Sequence, residues 1–166
     1  MSSIPPDQFR RLFEYEQDAH HRVLDSLRRA ESDHHDDADV AKAVDLAAHI
    51  ATCRDMWLRR IRRYSPLPQT LFPGGVTVSE VEREFARIEA QWHEYLDALD
   101  DAELTRQCEY VSYEGGAFRN SVHDILVQLF GHSLYHRGQI ALLIRRSGSV
   151  PAATDFVFWS RRSPSE

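Results

Sequence analysis

The amino-acid sequence predicts an all-α protein, a four-helix bundle with a short hairpin or extended segment before the fourth helix. Two observations support this prediction: four long segments repeat their apolar residues at helical spacing, and strands do not alternate with helices along the chain. A bundle buries four apolar stripes against one another, so it is the natural architecture for such a chain. The length of 166 residues suits a single domain, which we assign to residues 1–166.

The first helix is predicted to run from about Pro6 to Ala30, since the pair Pro5-Pro6 favours a helix start. Two polar residues, Glu16 and His20, interrupt its apolar stripe one turn apart. His20 could donate a hydrogen bond to a site or contact a substrate, and Glu16 could orient it or act as a base. A position at the end or rim of the helix explains both side chains equally well.

The second helix is predicted from about Val40 to Tyr64, and its buried stripe includes a histidine. The stripe follows helical spacing through Leu46, His49, Ile50, Cys53, Trp57, Ile61 and Tyr64. The next segment, SPLPQTLFPGG at residues 65–75, holds three prolines and two glycines and cannot continue the helix. It is long enough to cross from one end of a bundle to the other.

The third helix is predicted to begin at Ser79, because Ser79 and Glu82 match the capping-box pattern. Its apolar residues recur at helical spacing as far as Leu99. The pattern changes between Thr105 and Asn120, where the stretch QCEYVSYEGGAF places β-forming residues around two glycines. That composition is typical of a short hairpin or an extended turn.

The fourth helix is predicted to follow the capping residues Ser121 and Asp124 and to run to about Arg146, with Gly148 placed to end it. The tail beyond it, VPAATDFVFWSRR, is rich in aromatic side chains. We predict that this tail docks on the helices, because exposing three aromatic rings would be costly. The three rings belong to Phe156, Phe158 and Trp159.

Two histidines on the buried stripe of the fourth helix, His132 and His136, predict a metal site. Residues four apart lie on one face of a helix, about 6 Å apart along its axis, so both imidazoles can reach one ion. His49, on the buried stripe of the second helix, supplies a third ligand. Three nitrogen ligands with an open position for water or substrate are typical of catalytic rather than structural metal sites. The spacing does not choose among zinc, nickel, copper and iron, and it identifies no catalytic residue.

The alternative is that these histidines are ordinary hydrogen-bonded residues of the core. Burying three unpaired imidazoles would cost about 1–3 kcal/mol each, whereas one cation satisfies all three. Two common metal-site signatures are absent. Ser133 stands where the HExxH motif has its glutamate, and Glu-x-x-His pairs of a di-iron bundle do not occur on two helices.

Composition excludes several classes of protein. The net charge of −6 and the isoelectric point near 5.8 argue against nucleic-acid binding. Only two cysteines occur, with no CxxC pair, which disfavours disulfides and thiolate-rich zinc sites. No apolar run approaches the ~20 residues that span a bilayer, and the stretch MSSIPPDQFRRLF lacks a signal-peptide pattern, so we expect a cytoplasmic protein without a membrane partner. We interpret the excess of arginine over lysine as compositional bias.

Two stretches resemble a known family. They are HIATCRDMWLRRI at residues 49–61, with a tryptophan eight residues after its histidine, and GHSLYHRGQIALLIRRSG at residues 131–148, with a histidine followed by HRGQ four residues later. The tail PAATDFVFW also matches the family's ending. On these motifs the sequence resembles the DinB-like superfamily, which includes DinB and YfiT-like proteins, over nearly the whole chain.

The resemblance implies an up-down-down-up four-helix bundle whose crossover is the loop 66–75. It implies a metal triad at His49, His132 and His136, with zinc or nickel as the ion. Many members of the family are dimers, so we expect a homodimer. Some relatives are enzymes that use mycothiol, bacillithiol or glutathione, which favours a metal-dependent thiol S-transferase with a small-molecule substrate, such as a low-molecular-weight thiol. The alternatives are a non-catalytic, stress-related metal-binding protein and a dimeric interaction module.

Overall fold

The computed structural model of the chain describes residues 4–163, and this part is predominantly helical, with six helices and a two-stranded sheet. The ends of the predicted domain, residues 1–3 and 164–166, lie outside the described residues. In chain order the elements are α1 (Pro6–Asp33), α2 (Ala38–Arg62), α3 (Val78–Asp97), α4 (Asp101–Thr105), β1 (Gln107–Val111), β2 (Ala117–Ser121), α5 (Val122–Arg146) and α6 (Phe156–Ser160). The four long helices correspond to the four predicted from periodicity.

The four long helices pack against one another around a shared apolar core. Helix α2 contacts α1, α3 and α5, and α1 also contacts α3 and α5. Each helix contributes side chains that are almost fully buried, among them Leu27, Ile50, Ile88, Trp92, Ile125 and Ile140. Burial of each such side chain stabilises the fold by about 1.5–3 kcal/mol. This packing keeps α2 and α5 side by side. No helix within residues 4–163 combines the length and the apolar character that a bilayer crossing requires.

Helix α3 begins two residues earlier than its capping pattern predicted. The capping box is formed by Thr77 and Glu80, not by Ser79 and Glu82: the Glu80 backbone N–H donates to Thr77 Oγ1 and the Thr77 backbone N–H donates to Glu80 Oε2, at 3.3 and 2.8 Å. Both pairs fit the pattern, because the stretch TVSEVE contains it twice. The earlier start places Val78 in the first turn, where it is buried.

Helix α2 ends before Tyr64, which the sequence had placed on the buried stripe. Arg63 takes a left-handed conformation with φ of 58°, and the Tyr64 backbone N–H donates to the Arg59 carbonyl. This arrangement closes the helix and turns the chain outward. Tyr64 is therefore 60% exposed. The crossover segment that follows contacts side chains of α2 on its way to α3: Arg59 donates to the Pro66 carbonyl, and the Gly75 backbone N–H donates to Asp45.

A short antiparallel hairpin precedes α5, as predicted. Strands β1 and β2 pair from Gln107↔Ser121 to Val111↔Ala117. Gly115 and Gly116 form the turn with φ of 92° and 93°, values that favour glycine. The five-residue helix α4 was not predicted, because one turn is too short to show a periodic pattern.

The aromatic tail docks on α1 in part. Phe156 and Trp159 pack edge-on against Tyr15, with ring centroids 5.1 and 5.7 Å away, and the Tyr15 hydroxyl donates to the Thr154 carbonyl at 2.5 Å. Phe158, in contrast, remains mostly exposed. The prediction of a docked tail thus holds for two of its three aromatic rings.

Candidate metal centre

The three predicted histidines converge between α2 and α5. His49 Nε2 and His136 Nε2 each lie 3.1 Å from His132 Nε2, and the three ligand atoms all lie within 4.8 Å of one another. Zinc–nitrogen bonds of about 2.0–2.1 Å in a tetrahedron place nitrogens about 3.3–3.4 Å apart. The three rings therefore need only small adjustments to hold one ion. We call His49, His132 and His136 the histidine cluster.

Hydrogen bonds at the far side of two rings determine which nitrogen faces the centre of the cluster. His49 Nδ1 lies 2.6 Å from the Leu71 carbonyl oxygen, and His136 Nδ1 lies 2.7 Å from Gln139 Oε1. Both partners are acceptors, so both Nδ1 atoms carry the proton. A neutral imidazole has one N–H, so the Nε2 atoms of His49 and His136 present lone pairs.

These tautomers suit a bound cation. Without a cation, the three nitrogens that face one another cannot all form hydrogen bonds. His132 Nε2 stands 3.1 Å from two nitrogens that are both acceptors. If it is protonated, it donates to only one of them well, and if it is not, three lone pairs face one another. A metal ion accepts all three lone pairs at once. The donor set, three neutral imidazoles, suits zinc, nickel, copper or iron.

Electrostatics keeps two of the three rings neutral. Burial lowers the pKa of His132 to about 4, with smaller contributions from His136, His49 and Arg54. Burial also lowers the pKa of His49, helped by His136 and opposed by the hydrogen bond to Leu71. Metal ions bind the unprotonated form of imidazole, so these rings are in the binding form at neutral pH.

Aromatic rings and a thiol surround the histidine cluster. Phe72, in the crossover segment, stacks on His49 with ring centroids 4.0 Å apart, although it is 66% exposed, and Tyr135 packs edge-on against His136 at 5.0 Å. Cys53 Sγ lies 3.7 Å from both ring nitrogens of His49. Burial raises the pKa of this thiol to about 11, so it stays protonated at neutral pH in the metal-free protein.

Beneath the cluster lies a buried ion network that joins α1, α2 and α5. Glu16 accepts hydrogen bonds from Arg54 and from Arg137, the latter at 2.9 Å. Arg54 also reaches Ser133 Oγ at 3.4 Å. Ser133 and Arg137 each follow one of the α5 histidines by one residue. The contact of Ser133 with Arg54 of α2 and that of Arg137 with Glu16 of α1 therefore hold α5 in the rotation that directs His132 and His136 towards α2.

The structure places the two polar residues of α1 in the core and does not test the roles of His20 as a substrate contact and of Glu16 as a base. Glu16 pairs with two arginines and does not orient His20, and both side chains are buried rather than at a helix rim. His20 lies over Phe85, and its Nε2 is 3.4 Å from Arg137 Nη1. Burial and the two arginines hold the pKa of His20 well below its usual value.

The sequence interpretation missed Arg54 and Arg137, because we attributed the arginine excess to composition. The sequence nevertheless contained a signal for both arginines. Arg54 lies on the apolar face of α2 between Ala51 and Leu58, and Arg137 lies between Ser133 and Ile140 on α5. A glutamate on the buried stripe of α1 requires cationic partners on the facing helices.

Two comparisons show which known proteins the chain is similar to. The model of the DinB family matches residues 3–164. The chain is also similar to the protein named "Protein DinB" of Bacillus subtilis (strain 168), with 25% identity over 79 residues. That alignment covers 48% of this chain and 45% of the relative, so the chain spans about half the length of the curated relative that it matches.

Proposed function

The chain belongs to the DinB family, and from this premise we propose that it binds one divalent metal ion and acts as a metal-dependent thiol S-transferase. The observation behind the proposal is the convergence of three Nε2 atoms, two of them on rings whose Nδ1 atoms are held by Leu71 and Gln139. We further propose that the four long helices form the up-down-down-up bundle typical of the family.

His49, His132 and His136 would hold the ion, which we propose to be zinc or nickel. Three protein ligands leave a coordination position for an exogenous group. A bound ion of this kind supplies Lewis acidity, which stabilises a thiol as its thiolate near neutral pH. His132 is only half-buried, so the site is reached from its side of α5.

The surrounding residues give the site a shape suited to a small organic substrate. Phe72 and Tyr135 offer exposed aromatic surface on either side of the histidine cluster. Cys53 is buried, so an electrophile that enters the site does not reach its sulfur easily. We therefore propose a low-molecular-weight thiol as one substrate and a carbon electrophile as the other. The thiolate sulfur forms a C–S bond, the leaving group departs with its electron pair, and the thiol proton goes to solvent.

Metal content measured on protein purified without added metal tests the first half of the proposal. We expect about one zinc or nickel ion per chain for the native protein and loss of that ion in His132→Ala and His136→Ala. His35→Ala is the control, since His35 is exposed and lies in the connection before α2, outside the cluster. A native protein without metal, whose melting temperature does not change in chelator, would contradict the proposal.

The proposed thiol transfer is tested by following the loss of free thiol in the presence of monobromobimane for a panel of small thiols. We expect turnover that requires the metal and disappears in His132→Ala. A protein that holds one ion but accelerates no thiol reaction would instead be a non-catalytic metal-binding protein, the alternative function. Shifts of melting temperature with each thiol distinguish the two cases, because a substrate stabilises the metal-loaded protein.

A further inference from the structure

Arg60 is a buried arginine of α2 that has no acidic partner. Three arginine side chains are almost fully buried among residues 4–163, and two of them, Arg54 and Arg137, share Glu16. The third, Arg60, is only 9% exposed, and within the same residues no carboxylate lies at ion-pair distance from it. Arginine stays charged throughout the physiological pH range, so the fold leaves a buried cation here without a counter-charge.

Aromatic rings and weak acids surround the guanidinium group of Arg60. Its Cζ atom lies 4.9 Å from the ring centre of Trp57, 4.7 Å from that of Tyr110 and 5.5 Å from that of Tyr113. Burial lowers the pKa of Arg60, and the groups that oppose this shift are tyrosine hydroxyls and buried cysteine thiols. Such groups are neutral at pH 7, so they do not balance the charge. We call Arg60, Trp57, Tyr110 and Tyr113 the Arg60 cage.

The guanidinium group of Arg60 keeps hydrogen-bond donors for an anion. Nη2 donates to the Val111 carbonyl at 2.8 Å, whereas Nε is buried and has no hydrogen-bond partner among residues 4–163, and Nη1 also has none in this part of the chain. Aromatic faces attract the cation but are weak hydrogen-bond acceptors. Whichever N–H Nη2 gives to Val111, its other N–H forms a fork with Nε or with Nη1. A planar carboxylate binds such a fork through both of its oxygens.

The Arg60 cage lies on the same side of α2 as the histidine cluster. Residues 49 and 60 are three helical turns apart, so they share one face, with about 16 Å between their Cα atoms along the axis. Cys53 lies between them: its Sγ atom is 3.7 Å from the ring nitrogens of His49, and its thiol is one of the groups that act on the pKa of Arg60. Helical side chains lean towards the N-terminus, so the Arg60 guanidinium leans towards His49.

The crossover segment contacts both the Arg60 cage and the histidine cluster. The Tyr113 hydroxyl donates to the Pro68 carbonyl at 2.7 Å, and the Leu71 carbonyl oxygen lies 2.6 Å from His49 Nδ1. The short stretch 68–71 therefore runs from one place to the other beside α2. A small molecule that enters here has the candidate metal ligands at one end and an unneutralised arginine at the other.

We propose that Arg60 binds the carboxylate of the thiol substrate whose sulfur is held at the histidine cluster. This inference rests on the proposed function for the position of the sulfur, whereas the position of the carboxylate follows from Arg60 alone. Because the two ends are separated along α2, the substrate is a thiol acid of about tripeptide size, since three residues span ~10 Å when extended. A thiol whose carboxylate is only a few bonds from its sulfur does not reach both ends.

Binding of matched peptides to the native, metal-loaded protein tests the proposal. The peptide N-acetyl-Cys-Gly-Gly and its C-terminal amide differ only in the carboxylate. We expect calorimetry to give a dissociation constant about 10-fold lower for the acid than for the amide, because only the acid forms charge-assisted hydrogen bonds with Arg60. N-acetylcysteine should show a smaller preference over its own amide, since its carboxylate is too close to its sulfur. Equal dissociation constants for the acid and the amide of the longer peptide would overturn the proposal.

Substitution of Arg60 connects this preference to one side chain. In Arg60→Gln the dissociation constants of acid and amide should come within about twofold of each other. The matched control is Arg119→Gln, at an exposed arginine of the same hairpin that carries Tyr110, and it should keep the native preference. Circular dichroism checks that both variants are folded. A preference that persists in folded Arg60→Gln contradicts the proposal, and if that variant does not fold, the comparison of acid and amide on the native protein still decides.

Two further results separate a failure of this inference from a failure of the proposed function. Acid and amide peptides that bind equally well, and that no longer bind His132→Ala, would leave the sulfur at the ion and overturn only the role of Arg60. A serine peptide acid that binds as tightly as its cysteine counterpart, and more weakly to Arg60→Gln, would support Arg60 as a carboxylate site and contradict the proposed thiol chemistry. If neither cysteine peptide binds, the inference is overturned, and metal content then shows separately whether the ion is held.

Discussion

Gln139 accepts a hydrogen bond from His136 Nδ1 through its amide oxygen, at 2.7 Å. The two residues are the first and last of the stretch HRGQ, so the spacing of i and i+3 places the acceptor beside the ring it controls. This contact leaves His136 Nε2 as the lone-pair nitrogen that faces His49 and His132. The HRGQ stretch thus contains the candidate ligand His136, Arg137 of the buried network, and Gln139, which fixes the tautomer of His136.

Replacing Gln139 by leucine should weaken metal binding about 10- to 100-fold, since the His136 ring loses the partner that orients it and fixes its proton. Gln139→Glu is the control, because a carboxylate still accepts the Nδ1–H, and it should bind about as tightly as the native protein. Titration of the metal-free protein by calorimetry measures both. Equal affinities for Gln139→Leu and the native protein would contradict the assigned role.

Because the ion network is buried, we predict that removing its one carboxylate causes a large loss of stability. Glu16→Gln removes the only carboxylate that pairs with Arg54 and Arg137 among residues 4–163. The variant should lose about 3–5 kcal/mol in free energy of unfolding, because two guanidinium groups remain buried without a counter-charge. Asp18→Asn, which breaks an exposed pair with Arg22 on the same helix, should lose less than about 1 kcal/mol. Urea unfolding gives both values, and similar losses would refute the distinction.

Periodicity predicted the three histidines because position along a helix determines which face a residue occupies. His132 and His136 share a face by spacing alone, and His49 follows from its stripe on α2. The partners Leu71 and Gln139 could not be predicted, since the first depends on the path of the crossover segment and the second on a side-chain rotamer. The pairing of Arg54 and Arg137 with Glu16 depends on how three helices are rotated against one another, which a single-helix pattern does not contain.

The start of α3 is a second feature that a sequence pattern alone could not predict. Two overlapping capping patterns in TVSEVE differ by two residues, and only packing selects between them. Thr77→Ala should cost about 1 kcal/mol of stability, because the Glu80 backbone N–H loses its acceptor. Ser79→Ala, which removes the hydroxyl of the pattern that was not used, should change the free energy of unfolding by less than about 0.5 kcal/mol. The reverse order of losses would show that the predicted cap is the one formed in solution.

Acid should destabilise the metal-free protein in a specific pH range because of its buried neutral histidines. The pKa of His132 is lowered to about 4 and the pKa of His20 is also lowered, while both return to about 6.5 on unfolding. Between these values the unfolded state binds more protons, so stability is present above pH 6.5 and is lost as the pH falls towards 4. Each such histidine contributes a slope of at most about 1.4 kcal/mol per pH unit, and less for His132, which is partly exposed.

Urea unfolding at several pH values between 7 and 4 measures this slope. His132→Gln and His20→Gln should each flatten the dependence on pH, because each removes one group that takes up a proton on unfolding. The exposed His35 pairs with Asp36 at the surface, so His35→Gln should leave the slope as it is in the native protein. If His132→Gln kept the full slope, protonation of the histidine cluster would not be the cause of the loss of stability in acid. Saturating metal should shift the loss of stability to lower pH, since protons and the ion compete for the same three nitrogens.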